Sequence, residues 1–322
     1  MSLKILPGKY IVLGGSGLIG TSVLSLLKDV EGVSVNSTYF TRQPKIYGDN
    51  IKHHNIDLRD RDKCREIIKR GDYVILLASN ILLYSMPNEE IFSGITSNLI
   101  INSQVLEASY IEGIKRLVWM SRSTVYPEKD DLLYEDNLFD KDPPDKYFAI
   151  GWTNRFIEKL CTIYSQMMNR KMKISILRPT CIYGKNEGFE FGKCHMLPAM
   201  VRRIVEKQNP IEVWGDGEQK RDLIHADDAA RTCLIALNVV DTFESFNIGA
   251  NKSYSVNEII KIICDVIGCE SPNIKYVDMP HKIEKERKFS FNKMKNILNF
   301  TPSIDINNGI TELVEDCWRK YA

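Results

Sequence analysis

Short apolar runs and longer segments with helical periodicity alternate along the first 180 residues. Apolar runs typical of strands cover residues 9–13, 33–40, 73–78, 117–120 and 174–178. Segments with helical spacing of apolar positions cover residues 21–28, 64–70, 98–113 and 153–168. Because parallel strands need a long crossover, usually a helix, the alternation predicts an α/β fold with a doubly wound parallel Rossmann sheet.

The pattern changes after Pro179 to loops rich in glycine and charge, with helices predicted at 197–207, 227–237, 256–267 and 310–319. We expect residues 1–180, together with about 223–250, to form a dinucleotide-binding Rossmann domain. Residues 181–222 and 251–322 would form a smaller α/β substrate-binding lobe. Such a lobe would cover the carboxyl ends of the strands, where open α/β sheets bind ligands.

A glycine-rich turn follows the first predicted strand and opens the first predicted helix. In such a turn the first glycine permits a tight bend, the second lets the backbone approach a pyrophosphate, and the third lets helix and strand pack closely. A glycine turn that only packs is the alternative, but the strand before and the helix after it favour dinucleotide binding. The predicted contacts are Gly14, Ser16, Gly17, Leu18, Ile19 and Gly20.

The end of the second strand lacks the acidic residue that grips the adenosine ribose in many Rossmann proteins. The stretch 36–42 ends instead in Arg42, whose cation suits the 2′-phosphate of NADP or is simply solvated. Asp57 and Leu58 follow the next strand and are placed to receive the adenine. The predicted cofactor is therefore NADP or NAD.

Composition and charge limit the partners without identifying the function. The 322 residues include 43 Lys+Arg and 42 Asp+Glu, which gives a formal net charge of +1 and argues against nucleic-acid binding. No apolar run is long enough to span a bilayer and no secretory signal is visible, so we expect a cytoplasmic protein without membrane contact. The eight cysteines are scattered, which favours reduced thiols and no metal site.

Six motifs occur in an order typical of one enzyme family: 14–20 (GGSGLIG), 57–60 (DLRD), 76–79 (LLAS), 123–127 (STVYP), 178–184 (RPTCIYG) and 215–228 (GDGEQKRDLIHADD). On these motifs the chain resembles, nearly end to end, the extended short-chain dehydrogenase/reductases that modify nucleotide sugars, the NAD-dependent epimerase/dehydratase family. Segments 194–203 (CHMLPAMVRR) and 213–215 (VWG) are most similar to its GDP-fucose synthases.

The resemblance implies a nucleotide-sugar substrate, with a GDP-sugar favoured, and a homodimer built from the helices at 98–113 and 153–168. It assigns Leu77, Ala78 and Pro179 to the cofactor site. His195 matches a histidine that acts as a proton donor or only orients the sugar. The substrate contacts implied by the family are three arginines for the diphosphate and a tryptophan near the nucleotide: Arg203, Arg221, Arg287 and Trp214.

The catalytic residues of the family are replaced. Its Tyr-x-x-x-Lys pair aligns with Ile150 and Asn154, and its Ser or Thr aligns with Arg122. A second alignment puts Tyr147 at the tyrosine position, but Gly151 then replaces the lysine and the helix carries a three-residue insertion. The usual acid–base machinery of this family is therefore absent in either alignment.

One hypothesis is that Tyr147 is a substitute acid/base whose pKa Arg122 lowers, with Asn154 bonded to the ribose and Thr124 completing the set. Tyr147 as an ordinary surface residue is the alternative. For the whole chain, the favoured interpretation is an NAD(P)-dependent epimerase, reductase or dehydratase of a nucleotide sugar. The rivals are an epimerase that uses no hydride and a non-catalytic nucleotide-sugar-binding regulator or scaffold.

Overall fold

A computed structural model describes residues 3–82, 86–278 and 285–321. Within these ranges the central sheet has seven parallel strands in the order β10-β6-β5-β4-β1-β2-β3, with elements numbered in chain order. The strands are β1 Gly8–Leu13, β2 Val33–Tyr39, β3 Ile51–Asn55, β4 Tyr73–Leu76, β5 Arg116–Met120, β6 Lys173–Pro179 and β10 Phe243–Ile248. The predicted doubly wound Rossmann sheet is confirmed.

Helices cover both faces of this sheet because its strands are apolar on both sides. On β1, Tyr10 and Val12 belong to one core, and Ile11 and Leu13 belong to the other. Helices α1 (Leu18–Leu27) and α6 (Ala226–Val239) cover the first core. Helices α2 (Arg61–Ile68), α3 (Asn88–Ile111) and α4 (Phe148–Thr162) cover the second.

The remaining elements form a smaller lobe with its own core. Its strands are β7 Cys181–Tyr183, β8 Ile211–Trp214, β9 Lys220–His225, β11 Ser253–Ser255 and β12 Ile274–Val277, arranged as one three-stranded and one two-stranded sheet. Its helices are α5 Met196–Val205, α7 Val256–Ile267 and α9 Ile306–Tyr321, which pack on one another. The short helix α8 (Asn292–Asn296) packs on β10 instead, and Met294 joins the Rossmann core.

Two helices differ in extent from their predicted ranges. Helix α3 begins at Asn88, ten residues before the predicted start at 98. The apolar pattern did not indicate its first turns because their buried positions are small or polar, such as Gly94 and Ser97. Helix α4 begins at Phe148, five residues before 153, and after Thr162 it widens into a π turn over Ile163–Met167. None of the described helices combines the length and hydropathy needed to span a membrane.

Candidate functional site

The glycine turn between β1 and α1 has room only for glycine at two positions. Gly14 has a φ of +89°, and a Cβ there would lie 2.7 Å from the backbone nitrogen of Ala78. A Cβ on Gly20 would collide with the carbonyl oxygen of Gly14. Gly17 is the N-cap of α1 and has no side chain to occupy the free amides of the first turn. This turn fits the pyrophosphate of a dinucleotide.

The other predicted cofactor residues lie around this turn at the carboxyl end of the sheet. Leu77 and Ala78 directly follow β4 and are half-buried, whereas Pro179 ends β6 and is buried. Arg42 is exposed after β2. The structure therefore places these residues along one edge of the sheet.

The residues predicted to bind adenine include one arm of a local ion pair. Leu58 is buried, and the Asp57 carboxylate forms a bidentate pair with Arg59, with Nη2 2.7 Å from Oδ2. The hydrogen bonds from Arg59 lower the pKa of Asp57. Asp57 is thus held ionised, and its contact with adenine stays a prediction.

Arg122 follows β5 and turns toward the segment after β4. Its Nη2 donates hydrogen bonds to Ser79 Oγ at 2.8 Å and to the Asn80 carbonyl at 3.3 Å. Asn98 of α3 braces that segment by accepting from the Asn80 amide at 2.8 Å and donating to its carbonyl. Burial lowers the pKa of Arg122. The guanidinium is thus held by neutral partners at the carboxyl edge of the sheet.

His195 approaches the same space from the lobe. It is the N-cap of α5 and is exposed, yet the surrounding protein lowers its pKa, and the positive charge of Arg122 lowers it further. Cys181 at the start of β7 is also exposed although protein crowds it, and burial raises its thiol pKa. Residues that are exposed to solvent and yet closely surrounded by protein are typical of the lining of a cleft.

The residues of the replaced catalytic pattern are close to the start of α4. Ile150 is 7% exposed, and Asn154 donates to the Ile150 carbonyl at 2.8 Å. Tyr147 is the half-buried N-cap of α4, with the Lys146 ammonium 4.9 Å from the centre of its ring. The hydrogen bonds of Arg122 go to Ser79 and Asn80, so its support of Tyr147 stays a prediction.

Thr124 lies in the short 3-10 turn Ser123–Val125 that directly follows Arg122. Its Oγ1 is buried, and no hydrogen-bond partner for it is found among the described residues. A Cβ on Gly151 would lie 2.9 Å from the Thr124 carbonyl, so α4 approaches this turn closely only because residue 151 is glycine. The turn is consequently fixed against the first turns of α4.

A buried polar network supports the edge of the sheet beneath these residues. Arg178 forms an ion pair with Glu158 at 2.6 Å and donates to the Tyr126 hydroxyl at 2.6 Å. Ser121 donates to Glu158 at 2.7 Å, and Tyr126 donates to Asn247 at 2.5 Å. The network ties β5, β6, β10 and α4 together, so the backbone that carries Arg122 is rigidly placed.

Three of the four predicted substrate contacts lie on elements of the lobe, namely Arg203 on α5, Trp214 on β8 and Arg221 on β9. Arg203 is half-buried on α5, its Nη1 donates to Gln208 at 3.2 Å, and its guanidinium carbon is 5.2 Å from the centre of the Phe191 ring. Arg221 lies on β9, and Trp214 ends β8 with about half its surface exposed. Their contacts with substrate stay predictions.

Arg287 is engaged in a way that the sequence did not predict. It donates hydrogen bonds to the backbone carbonyls of Ser123, Tyr126 and Pro127 at 3.1–3.2 Å. The guanidinium therefore fastens residues 123–127 to the segment that contains residue 287. Its predicted role at the diphosphate stays a prediction.

Glu187 is a buried carboxylate that the sequence analysis missed. It is 7% exposed, and among the described residues neither carboxylate oxygen has a well-aligned donor. Burial raises its pKa to about 8, although the Gly184 amide and the Arg42 charge act in the opposite direction. A single glutamate in a loop rich in charge carries no periodicity that would mark it as buried.

The comparison with known families agrees with this arrangement. The model of the NAD dependent epimerase/dehydratase family matches residues 10–249. The chain belongs to this family. Two relatives are GDP-L-fucose synthase 1 of Arabidopsis thaliana, 26% identical over 97% of this chain and 93% of the relative, and UDP-glucuronate 4-epimerase of Thermodesulfobacterium geofontis, 28% identical over 97% and 96%.

Solved structures with the same fold include UDP-N-acetylglucosamine 4-epimerase of Methanobrevibacter ruminantium M1, determined with UDP-N-acetylmuramic acid. It has a TM-score of 0.85 and 22% identity, covering 98% of this chain and 99% of that one. UDP-glucuronic acid 4-epimerase of Bacillus cereus, determined with UDP-glucuronic acid and NAD, has a TM-score of 0.84 and covers 97% and 100%. At these identities the likeness shows the fold.

Family membership confirms three expectations. The chain has the Rossmann fold of this family, its cofactor is a nicotinamide dinucleotide, and the family acts in nucleotide-sugar metabolism. Enzymes of GDP-sugars and of UDP-sugars are similar to it at nearly equal identity.

Proposed function

We propose that this chain is an NAD(P)-dependent enzyme that changes the configuration or the oxidation state of a ring carbon in a nucleotide sugar, with a GDP-sugar favoured. The observation that carries the proposal is the glycine turn fitted to a dinucleotide, with Arg122 at the same edge of the sheet and near enough to His195 of the lobe to lower the pKa of that ring. If the glycine turn served only for packing, nothing would require Arg122 and His195 to lie close together beside it.

The cofactor site consists of the turn and the edge of the sheet. Gly14, Gly17 and Gly20 hold the pyrophosphate, and Leu77 and Ala78 form the wall beside it. When bound, the nicotinamide accepts or returns a hydride at the sugar carbon. Arg42 is exposed where a 2′-phosphate would lie, so relative affinity for NADP and NAD measures its role.

Proton transfer falls to His195 in this proposal. A pKa below the ordinary histidine value keeps the ring neutral near neutral pH, so it accepts a proton from a sugar hydroxyl or from a carbon next to a ketone. Tyr147 at the start of α4 is the second candidate. The buried Thr124 hydroxyl and the Asn154 amide are suited to hydrogen bonds with sugar or ribose oxygens.

Diphosphate binding falls to Arg203 and Arg221, whose planar guanidinium groups match phosphate oxygens. The exposed indole of Trp214 offers a face on which the base can stack. The base is the least constrained part of the substrate, because a stacking face accepts either a purine or a pyrimidine.

A non-catalytic binding protein is the second candidate function. Ile150 fills the tyrosine position with a buried apolar side chain, and Asn154 in the lysine position has no charge to lower a tyrosine pKa. In that case both nucleotides would bind and neither would react.

The deciding experiment incubates the purified protein with NAD or NADP and GDP-, UDP- and dTDP-sugars in deuterated water. Deuterium in the sugar with a change in cofactor absorbance supports hydride chemistry, and so does a new epimer formed without deuterium, since the hydride then returns to the same carbon. Deuterium in an epimer formed without loss of water and without that absorbance change supports an epimerase that uses no hydride. Binding of both nucleotides with neither exchange nor a new sugar product supports the non-catalytic candidate. Failure to bind any nucleotide sugar would contradict the proposal.

A homodimer through α3 and α4 is part of the proposal. Exposed apolar side chains form a stripe at helical spacing on α4, at Phe148, Trp152 and Phe156. Phe92 and Ile100 are exposed eight residues apart on α3, which packs against α4. Two adjacent helices with apolar outer faces favour an interface with a second copy.

A further inference from the structure

Arg122 carries a positive charge that the rest of the cleft does not balance. Its hydrogen bonds go to neutral groups, the Ser79 hydroxyl and the Asn80 carbonyl. In the described ranges no carboxylate lies within 4 Å of its guanidinium, and no charged group offsets the effect of burial on its pKa. Arg122 is half-buried, so its guanidinium is partly removed from water yet within reach of a ligand that supplies the counter-charge.

The buried arginines Arg155 and Arg178 of the Rossmann domain show how a guanidinium is compensated in this protein. Arg178 is paired with Glu158 at 2.6 Å, and the pKa of Arg178 is raised despite burial. Arg155 donates to two backbone carbonyls and also feels the negative charges of Asp142 and Glu158. Within the described part of the chain, Arg122 has neither an ion pair nor a nearby negative charge, so its environment differs from that of the two buried arginines.

The start of α5 contributes positive potential near Arg122, while the His195 ring at this position is itself neutral near neutral pH. The pKa of His195 is lowered by burial and then by Arg122, with no acidic group acting in the opposite direction. His195 also caps α5, whose first turn has no acidic residue and whose dipole is positive at this end. The cleft between Arg122 and His195 therefore favours an anion.

The geometry of Arg122 selects the kind of anion. Only Nη2 is engaged, so Nε and Nη1 keep donors without a partner among the described residues. Adjacent guanidinium donors bind a carboxylate with two parallel hydrogen bonds. A single carboxylate on the substrate would satisfy these donors and offset the charge.

The position of Arg122 selects the part of the substrate. It follows β5 and touches the segment directly after Leu77 and Ala78, at the edge where the sheet meets the cofactor. Arg203 and Arg221, the groups proposed for the diphosphate, lie on α5 and β9 in the lobe. An anion at Arg122 is therefore on the sugar and not on the nucleotide.

We propose that Arg122, assisted by His195, binds a carboxylate on the sugar ring, so that the substrate is a nucleotide-activated uronic acid. This inference rests on the proposed function, because it names the sugar class for the same site. The diphosphate of any nucleotide sugar is also an anion. The experiment therefore distinguishes a sugar carboxylate from the diphosphate as the group that Arg122 binds.

The test measures dissociation constants by calorimetry for the full chain saturated with NAD. Ligands are used in pairs that differ only by the carboxylate, UDP-glucuronate with UDP-glucose and GDP-mannuronate with GDP-mannose, together with UDP and GDP alone. We expect at least one uronate to bind about tenfold more tightly than its neutral partner, a typical difference for one charge-assisted bidentate contact. This comparison needs no variant, so it stands even if a substituted protein fails to fold.

Variants then assign the effect to Arg122. Arg122→Met removes the charge at similar length and is expected to abolish the discrimination, while Arg122→Lys retains part of it. Arg116→Met is the matched control, since Arg116 begins the same strand and is paired with Asp241 at 2.7 Å away from the cleft. It is expected to leave the discrimination unchanged.

Three outcomes overturn the inference. Equal or tighter binding of the neutral sugars shows that the site does not recognise a carboxylate, while the proposed function survives. Equal weakening of UDP, GDP and both sugars in Arg122→Met shows that the anion is the diphosphate. Absence of binding by every nucleotide sugar contradicts the proposed function itself, and the inference with it.

Discussion

Arg122 and His195 belong to different lobes of the protein, yet the charge of one acts on the proton affinity of the other. Burial lowers the pKa of His195, and Arg122 lowers it further. If His195 is the base, its neutral form is active, so activity is lost as the pH falls through this lowered pKa. Removing the charge of Arg122 raises that pKa.

The first prediction concerns the acid limb of the pH profile. In Arg122→Met, the midpoint of the acid limb of kcat/KM is expected at higher pH than in the wild type, measured with whichever nucleotide sugar turns over. Arg122→Lys keeps the charge and is expected to retain the wild-type midpoint. Coincident limbs in the wild type and Arg122→Met would show that another group is the base.

The second prediction tests the glycine turn. A Cβ on Gly20 would collide with the Gly14 carbonyl, so Gly20→Ala must displace the turn that holds the pyrophosphate. We expect the affinity for NADH, measured by fluorescence, to fall at least about tenfold. Gly188→Ala is the control, because its Cβ would meet nothing within 4 Å. An unchanged affinity in Gly20→Ala would remove the turn from the cofactor site.

Five strands of the central sheet (β1, β2, β4, β5 and β6) were predictable as apolar runs, whereas no run marked the bounds of β3 and β10. Residues 73–76 are all buried, so they form an uninterrupted apolar run, and the glycine turn lies between a strand and a helix. The start of α3 was not predictable in the same way. Its first buried positions are Gly94, Ser97 and Asn98, which pack by small size and hydrogen bonding and leave no apolar period.

The candidate site was predictable only residue by residue. Sequence motifs indicated Arg122 and His195 separately, but their electrostatic coupling depends on how the lobe closes over the sheet. The hydrogen bond from Arg122 to Ser79 joins residues 43 positions apart and has no sequence signal. Glu187 was missed because a buried charge contradicts the expectation that charged loop residues are solvated.

The third prediction uses the pKa of Glu187. Burial raises this pKa from 4.5 to about 8, so the folded state binds more protons than the unfolded state between these values. The contribution of Glu187 to the free energy of unfolding is fully present below pH 4.5 and is lost as the pH rises through about 8. Glu187→Gln cannot ionise, so its stability should exceed that of the wild type at pH 9, on the order of several kcal/mol, and approach it at pH 5.

Urea unfolding of both proteins at pH 5, 7 and 9 measures this difference. Glu190→Gln is the control, because Glu190 is exposed and paired with Lys193 at 2.9 Å. It should show no pH-dependent difference from the wild type. A constant difference between Glu187→Gln and the wild type across this range would mean that Glu187 does not change its ionisation with folding.

The fourth prediction concerns the proposed dimer. Phe156 is 53% exposed in the apolar stripe of α4, and a charge there would be buried without a partner in a helical interface. Phe156→Glu is expected to convert a dimer into a monomer, as measured by light scattering after gel filtration. Val239→Glu places the same change at an exposed position at the end of α6 and should leave the dimer intact. A monomeric wild type would contradict the interface directly.

The fifth prediction concerns two thiols at the end of α7. Gly268, in the left-handed conformation, ends the helix, and the Cys269 amide donates to the Cys264 carbonyl at 3.1 Å. This cap brings the two side chains into contact, with Cys264 buried and Cys269 exposed. Burial and then the neighbouring Cys269 raise the pKa of Cys264 to about 11. The exposed Cys269 is therefore the thiol that reacts first.

Oxidised glutathione supplies the two-electron oxidant for this pair. The Cys269 thiolate displaces one glutathione thiolate to form a mixed disulfide, and Cys264 then displaces the second, which leaves a protein disulfide and two reduced glutathione molecules. Peptide mass spectrometry should find the 264–269 cross-link, and Cys269→Ser should abolish it. Cys64→Ser, which changes a fully buried thiol elsewhere, should not. Stable glutathione adducts on Cys269 without the cross-link would show that the two sulfur atoms do not reach bonding geometry.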